Sequence, residues 1–256
     1  MAWDPQQYLR YANERLRPAL DLMMRIPLDT PKQITDLGCG PGNVTGLLAQ
    51  RWPTAMVTGV DNSPAMIQTA STAETGCRFV LGDFATWMPD RPVDILYTNA
   101  ALQWHANHRN LFPYLLGQIA PGGVFAASMP AMEDSPLHRL QHVVAADGPW
   151  AAQLAGVSAR WPILSPGEYF DLLRPRVASL EIWEATYMHA LQGDDAAVQW
   201  AAGTSLRPFL DRLPPDIGRD FQSAYGEALR PAYPAREDGT TLLPFKRLFM
   251  IARMGD

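Results

Sequence analysis

Hydrophobic and polar residues follow two alternating periods along residues 34–129. Short runs rich in Val, Ile and Leu predict strands, whereas apolar residues three or four positions apart between these runs predict helices. This alternation is typical of an α/β fold in which helices cover both faces of a parallel sheet. The predicted strands are 34–37, 56–60, 77–81, 93–97 and 124–129, and 121–123 is predicted as a turn.

The N-terminal segment, residues 1–28, carries apolar residues at helical spacing and a proline at position 18. Proline removes a helical N–H group and clashes with the preceding turn, so we expect one or two helices interrupted at Pro18. These helices are predicted to cover another part of the fold. Arg15 and Arg17 either lie on a solvated helix face or point into a pocket for an anionic substrate.

The second half of the chain has a less regular pattern. Strands are predicted at 180–187 and 242–254, and helices at 194–210 and 217–233. We expect the helices between these two strands to form a lid over the strand ends and not a second domain. The expected organisation is therefore one domain, residues 1–256, with a helical cover 1–30, a cofactor-binding half 31–130, a substrate half 131–256 and a lid at about 193–240.

A glycine-rich turn follows the first predicted strand. Glycines at 38, 40 and 42 let the backbone turn tightly and approach a ligand where a Cβ atom would collide. The next predicted helix offers free N–H groups and the positive end of its dipole to an anionic or polar ligand. A dinucleotide fingerprint would need a third glycine at position 43, where the chain has Asn43.

Polar residues lie at the carboxyl ends of successive predicted strands, where ligands bind in open α/β sheets. Asp61 follows Gly42 by 19 residues, near the distance at which an acidic residue meets ribose hydroxyls. Asp83 could accept a hydrogen bond from an adenine amino group while Phe84 packs on the base. The strand-end set consists of Asp36, Asp61, Asp83 and Asn99.

Composition narrows the class of protein. A hydrophobic content of 47% and a charged content of 18% are typical of a soluble globular chain. The net charge of −5 and the absence of a Lys/Arg run argue against a nucleic-acid partner, and no apolar run is long enough to span a membrane. Two cysteines, Cys39 and Cys77, do not make a disulfide framework, so we expect a reducing cytoplasm.

The motifs 36–42, 59–61, 82–83 and 98–100 together resemble those of class I S-adenosylmethionine-dependent methyltransferases. The resemblance covers about residues 33–130. It implies a Rossmann-like, seven-stranded, mostly parallel sheet, with S-adenosylmethionine as methyl donor and S-adenosylhomocysteine as product. The cofactor-binding residues that it implies are Asp36, Gly38, Cys39, Gly40, Gly42, Asp61, Asn62, Asp83, Phe84 and Asn99.

A closer resemblance extends over nearly the whole chain. Segments 8–10, 14–15, 99–104, 206–208 and 244–249 are similar to those of bacterial trans-aconitate 2-methyltransferases. That family transfers a methyl group to a carboxylate of trans-aconitate and forms a monomethyl ester. The segment 128–136 departs from the family pattern, so the preferred small polycarboxylic acid could differ if this loop touches the substrate.

This chemistry needs few catalytic groups. A carboxylate acceptor, with a pKa of about 4, is ionised at neutral pH, so we expect no general base and no metal. Catalysis would rest on alignment and on exclusion of water, with Gln103 and Trp104 as positioning residues. Side chains suited to holding the other carboxylates of the acid are Tyr8, Arg15, Tyr187, His189, Arg207 and Arg247.

Three alternatives remain open from the sequence. The acceptor could be a carrier-bound ester, an amine or another small molecule, although a carrier protein would call for a basic docking patch. A nicotinamide dehydrogenase is disfavoured by the missing glycine at position 43. A protein that binds the cofactor without catalysis has no feature in its favour.

Overall fold

The computed structural model describes residues 12–157 and 163–256, with side chains described from residue 16 onwards. Its strands are β1 (Gln33–Leu37), β2 (Met56–Asp61), β3 (Arg78–Leu81), β4 (Val93–Asn99), β5 (Ile119–Pro130), β6 (Ser179–Gln192) and β7 (Thr240–Arg253). Across these described residues the strands form one seven-stranded sheet in the order β3-β2-β1-β4-β5-β7-β6.

The first five strands pair in parallel, and β1 lies between β2 and β4. The last strand runs against this direction, because the Gly122 N–H donates to the Gly255 carbonyl while the Met254 N–H donates to the Gly123 carbonyl. The predicted seven-stranded, mostly parallel sheet is therefore confirmed. The strand order reverses between β1 and β4, and such a switch point opens a crevice at the carboxyl ends of the strands.

The helices begin where local signals predict. Ser63 caps its helix by accepting from the Met66 N–H, with Pro64 as the first helical residue. Ser165 and Glu168 form a reciprocal capping box. The α-helices are α1 (Ala12–Met24), α2 (Asn43–Arg51), α3 (Pro64–Ser71), α4 (His108–Leu116), α5 (Pro136–Ala146), α6 (Ala151–Leu154), α7 (Pro166–Leu173), α8 (Ala196–Ala202), α9 (Arg207–Leu210) and α10 (Pro215–Leu229), with 3₁₀ turns at Leu102–Trp104 and Arg174–Arg176.

Two helix predictions were wrong. Helix α1 continues through Pro18, whose buried position lets packing outweigh the lost hydrogen bond. The predicted helix 194–210 is two helices, because the chain turns after Ala202 and the Leu206 N–H bonds back to the Ala201 carbonyl. Pro208 then lies in the first turn of α9, where proline is tolerated.

The prediction of a turn at 121–123 was also wrong. These residues belong to β5, which begins at Ile119. Their partners are Met254 and Gly255, more than 130 positions along the chain, so the local sequence carries no sign of the pairing. Proline and glycine lower strand propensity, but ladder hydrogen bonds from a distant strand can outweigh that preference.

The described residues form two compact units. The first contains residues 12–130, Ile163–Ala185 and Leu248–Asp256. The second contains residues 131–157 and Thr186–Arg247. In the first unit, β1–β5 and helices α1–α4 enclose an aliphatic core around buried residues such as Leu37, Val60 and Leu96. In the second unit, α5, α8 and α9 pack against α10. None of the described helices is long and apolar enough to cross a membrane.

Candidate functional site

A pocket of about 330 Å³ lies in the first unit at the carboxyl ends of β1, β2 and β4. Its position agrees with the crevice expected at the switch point of the sheet. It combines backbone of the glycine turn, carboxylates and aromatic side chains. The lining residues are Gly38, Gly40, Pro41, Asp61, Asn62, Met66, Asp83, Phe84, Asn99, Ala100, Ala101, Trp104 and His105.

The glycine turn is held in a conformation that other residues rarely adopt. Gly38, Gly40 and Gly42 have φ angles of 68°, 55° and 84°. A Cβ atom added to Gly38 would lie 2.2 Å from the Cβ of Ala101, closer than any real contact. Glycine at this position therefore lets the turn and the opposite wall of the pocket approach each other.

Asp61 lies at the end of β2 with both carboxylate oxygens anchored. Its Oδ2 accepts the Gly40 N–H at 2.9 Å, and its Oδ1 accepts the Ser63 N–H at 2.9 Å. Each oxygen keeps further lone-pair capacity, because an ionised carboxylate has about four acceptor sites. The arrangement presents two fixed acceptors to the pocket, as two neighbouring hydroxyl groups of a ribose would require.

Asp83 and Phe84 form another part of the pocket lining. The Asp83 Oδ1 accepts the Ala85 N–H at 2.9 Å, which fixes the carboxylate at the start of a turn. Phe84 meets the ring of His105 edge to face, with 6.2 Å between centroids. An acceptor beside an aromatic wall suits a flat base that carries an amino group.

Residues 100–105 form a wall that the sequence did not identify as a whole. Ala100 has a φ angle of 57°, unusual for a residue with a side chain, and its N–H donates to the Ser128 carbonyl at 2.8 Å. The 3₁₀ turn Leu102–Trp104 follows and brings Trp104 to the pocket. Ala100 and Ala101 carry no functional group, so only the position of their backbone in the structure identifies them as pocket residues.

Gln103 supports this wall from behind. Its side chain is buried, and its Nε2 donates to the Ala100 carbonyl at 2.7 Å. Within the described residues its Oε1 has no hydrogen-bond partner. Of the two predicted positioning residues, Trp104 lines the pocket and Gln103 braces it.

Three predicted cofactor residues lie outside the pocket lining. Asp36 is buried in β1, where its Oδ2 accepts the Thr45 hydroxyl at 2.7 Å. Burial raises the pKa of this carboxyl to about 7, the Thr45 bond opposes the rise, and the charge of Asp61 adds to it. Cys39 is buried, and burial followed by the nearby carboxylates raises its thiol pKa.

Gly42 is the third predicted cofactor residue outside the pocket lining, and it faces the side chains of Phe79 and Ala70. A Cβ atom there would lie 2.9 Å from the ring of Phe79. Asp36, Cys39 and Gly42 therefore shape the glycine turn, and direct contact with a cofactor stays a prediction for them. The other seven predicted cofactor residues lie together in the pocket lining: Gly38, Gly40, Asp61, Asn62, Asp83, Phe84 and Asn99.

The predicted acceptor-binding residues fall into two groups. Tyr8 and the Arg15 side chain lie outside the described residues. Tyr187, His189, Arg207 and Arg247 belong to the second unit.

Within the second unit these side chains differ in environment. His189 is buried and stacks on Trp200, with 4.7 Å between ring centroids. Arg247 is only 4% exposed although it carries a permanent charge. Arg207, by contrast, is partly exposed and lies 3.9 Å from the Asp211 carboxylate, one helical turn further on. Such a pair contributes little to stability.

Comparison with known proteins identifies the relatives of this chain. A family model described as a methyltransferase domain matches residues 34–123. The trans-aconitate 2-methyltransferase of Methylobacterium radiotolerans is 46% identical, with 98% of each chain covered. That of Streptomyces coelicolor is 47% identical, with 98% of this chain and 86% of its own length covered.

Solved structures agree on the fold. The YcgJ protein of Bacillus subtilis matches with a TM-score of 0.62 at 16% identity, and the match covers 94% of this chain and 99% of that one. A likeness at this identity shows the fold alone. The identity of 46% to a curated relative over almost the full length of both chains shows the family. The chain belongs to the trans-aconitate 2-methyltransferase family.

Proposed function

We propose that this protein transfers the methyl group of S-adenosylmethionine to a carboxylate of trans-aconitate or a close polycarboxylic acid, forming a monomethyl ester. The relatives that share 46–47% of its residues carry the name of this activity. The observation that carries the proposal on the structural side is Asp61, whose two anchored oxygens stand in a pocket at the switch point of the sheet.

The residues of the pocket fit this methyl donor. Asp61 would accept hydrogen bonds from both ribose hydroxyls, Asp83 would accept one from the adenine amino group, and Phe84 would pack on the base. The glycine turn lets a ligand approach the backbone closely. It lacks the glycine at position 43 that a dinucleotide fingerprint would need, which suits an adenosyl group that carries no phosphate. S-adenosylmethionine, when bound, supplies the sulfonium methyl group that the acceptor oxygen receives.

The protein's own contribution to the reaction is binding and orientation. A carboxylate with a pKa of about 4 is already the nucleophile at neutral pH, so no residue has to remove a proton. Trp104 walls the pocket and excludes water. We assign the other carboxylates of the acid to Arg207 and Arg247, with His189 and Tyr187 as further donors and Tyr8 and Arg15 as candidates in the N-terminal segment.

One backbone contact bears on which acid the protein accepts. The Ala131 N–H donates to the Lys246 carbonyl at 2.9 Å, so the segment 128–136, which departs from the family pattern, pairs directly beside Arg247. A change in this segment can shift the neighbouring guanidinium. A related polycarboxylate or another small acceptor is therefore the second candidate.

Incubation with labelled S-adenosylmethionine and a panel of organic acids tests the proposal. We expect label in an ester of trans-aconitate or a close polycarboxylate, identified by mass. Arg207→Ala should raise the KM for the acid at least tenfold and leave that for S-adenosylmethionine unchanged. Arg212→Ala removes an exposed arginine five positions away and serves as the matched control. Absence of turnover with every small polycarboxylate would refute the proposal.

We also propose a reducing compartment such as the cytoplasm for this protein. Cys39 and Cys77 are both free thiols, and Cys39 is buried beside the glycine turn. Persistent thiols of this kind are typical of reducing compartments.

A further inference from the structure

We propose that His108, held by Tyr169, is a positioning residue for the methyl-donor pocket: it fixes the turn that carries Trp104 and His105 into the pocket lining. This inference rests on the proposed cofactor site, but it does not depend on the identity of the acceptor. His108 and Tyr169 do not line the pocket themselves. They lie on two helices of the first unit, α4 and α7.

A hydrogen bond joins the His108 ring to the 3₁₀ turn. The His108 Nε2 lies 2.8 Å from the carbonyl oxygen of Leu102, the first residue of the 3₁₀ turn. A carbonyl can only accept, so Nε2 must carry the proton in this contact. The same carbonyl also accepts the His105 N–H at 3.0 Å, so one oxygen bonds both the His108 ring and the last residue of the wall.

A second hydrogen bond orients the His108 ring. With the proton on Nε2, the neutral imidazole has an acceptor at Nδ1, and the Tyr169 hydroxyl lies within hydrogen-bonding distance of it. The hydroxyl therefore donates, and it fixes both the tautomer and the tilt of the ring. Burial lowers the pKa of His108, which favours this neutral form.

Buried aromatic rings hold Tyr169 in place. Tyr169 is fully buried and packs on Phe112, with 5.0 Å between ring centroids. Phe112 in turn meets Phe125 of β5 edge to face at 5.6 Å. The aromatic cluster joins the turn to the central sheet, so the pocket wall does not depend on its own short turn for its position.

The conformation of the wall explains why such support is needed. Ala100 adopts a left-handed conformation at the start of the wall, which is unfavourable for a residue with a side chain. A 3₁₀ turn of three residues is weakly stable alone. A buried hydrogen bond from His108 to the Leu102 carbonyl stabilises this wall in the binding-competent form.

A pair of variants at position 108 separates the two contacts of the ring. Glutamine places an amide N–H near the position of Nε2 and can still donate to Leu102. Asparagine places an amide oxygen near Nδ1 and can satisfy Tyr169, but it does not reach Leu102. Both variants lose the ring packing, so they differ in which of the two hydrogen bonds they keep.

The measurement is the affinity for S-adenosylhomocysteine by calorimetry, at a temperature where every variant is folded. We expect His108→Asn to raise the Kd about tenfold, as the loss of one buried hydrogen bond implies, and His108→Gln to restore binding to within about threefold of the native protein. Tyr169→Phe, which removes only a hydroxyl, should raise the Kd by a smaller factor.

Arg109→Ala provides the matched control. It breaks the 2.7 Å ion pair between Arg109 and Glu168, which joins the same two helices one residue away. We expect unchanged affinity for this variant. Equal Kd values for the glutamine and asparagine variants, or an equally large effect of Arg109→Ala, would overturn the inference. Failure of the native protein to bind S-adenosylhomocysteine would refute the proposed cofactor site instead.

Discussion

Replacing Asp36 by asparagine should stabilise the protein above neutral pH and leave it nearly unchanged below about pH 4. The carboxyl is 2% exposed and bonds to the Thr45 hydroxyl. Burial raises its pKa from 3.8 to about 7. Asparagine can still accept the Thr45 hydroxyl through its amide oxygen, but it never ionises.

The sign follows from the two pKa values. Below pH 3.8 the carboxyl is protonated in the folded and unfolded states alike, so ionisation has no effect on stability. Between pH 4 and 7 the unfolded chain loses the proton while the folded protein keeps it, so the free energy of unfolding falls as pH rises. Above about pH 7 both states are ionised, and a loss of about 4 kcal/mol remains, at 1.36 kcal/mol per pKa unit.

Urea unfolding of the cofactor-free protein between pH 5 and 8 measures this effect. The difference in unfolding free energy between Asp36→Asn and the native protein should grow by about 3 kcal/mol over that range, because other titrating groups cancel in the difference. Thr45→Val removes the bond that lowers the Asp36 pKa, so its decline in stability should extend to higher pH. A difference that stays constant with pH would refute the reasoning.

Three further predictions concern the pocket. Asp61→Asn should weaken S-adenosylhomocysteine binding about hundredfold in calorimetry, because bonds to a charged group are each worth about 1.5–3 kcal/mol. Gly38→Ala should lower the melting temperature and abolish binding, since its Cβ would lie 2.2 Å from that of Ala101; retained affinity would contradict this. Ala100→Gly should raise the free energy of unfolding by about 1 kcal/mol, because glycine adopts the φ angle of 57° without strain; a loss of stability in urea unfolding would contradict this.

Most residues that line the pocket of the first unit could be predicted from sequence because their features are local. The glycine turn follows a strand directly, and Asp61 and Asp83 come at or just after the ends of the next two strands. Parallel strands bring such ends to one edge of a sheet, so spacing alone places the groups together. Asp36 differs from these residues: it is the penultimate residue of β1 and pairs between Gly59 and Tyr97, so its carboxyl is buried and lies outside the pocket lining.

The wall of the pocket could not be predicted in the same way. Ala100 bonds to Ser128, and His108 contacts Tyr169, which is 61 positions away. Neither pair has a spacing that marks it, because the partners meet only after β5 and α7 are in place. The extension of β5 to Ile119 has the same origin, since Gly255 supplies one of its hydrogen bonds.

Residues that select the acceptor are harder to predict from sequence than residues that bind the methyl donor, because the two ligands need different kinds of site. An adenosyl group needs a flat slot and two adjacent acceptors, whereas a polycarboxylate can be held by cations on any element. Arg247, the proposed acceptor-binding cation, is a buried charge in β7, and the backbone beside it pairs with Ala131 within the departing segment 128–136. Substitutions at 131–136 should therefore change the KM for the acid while the affinity for S-adenosylhomocysteine stays constant, and a parallel change in both would show that the two functions are not separable.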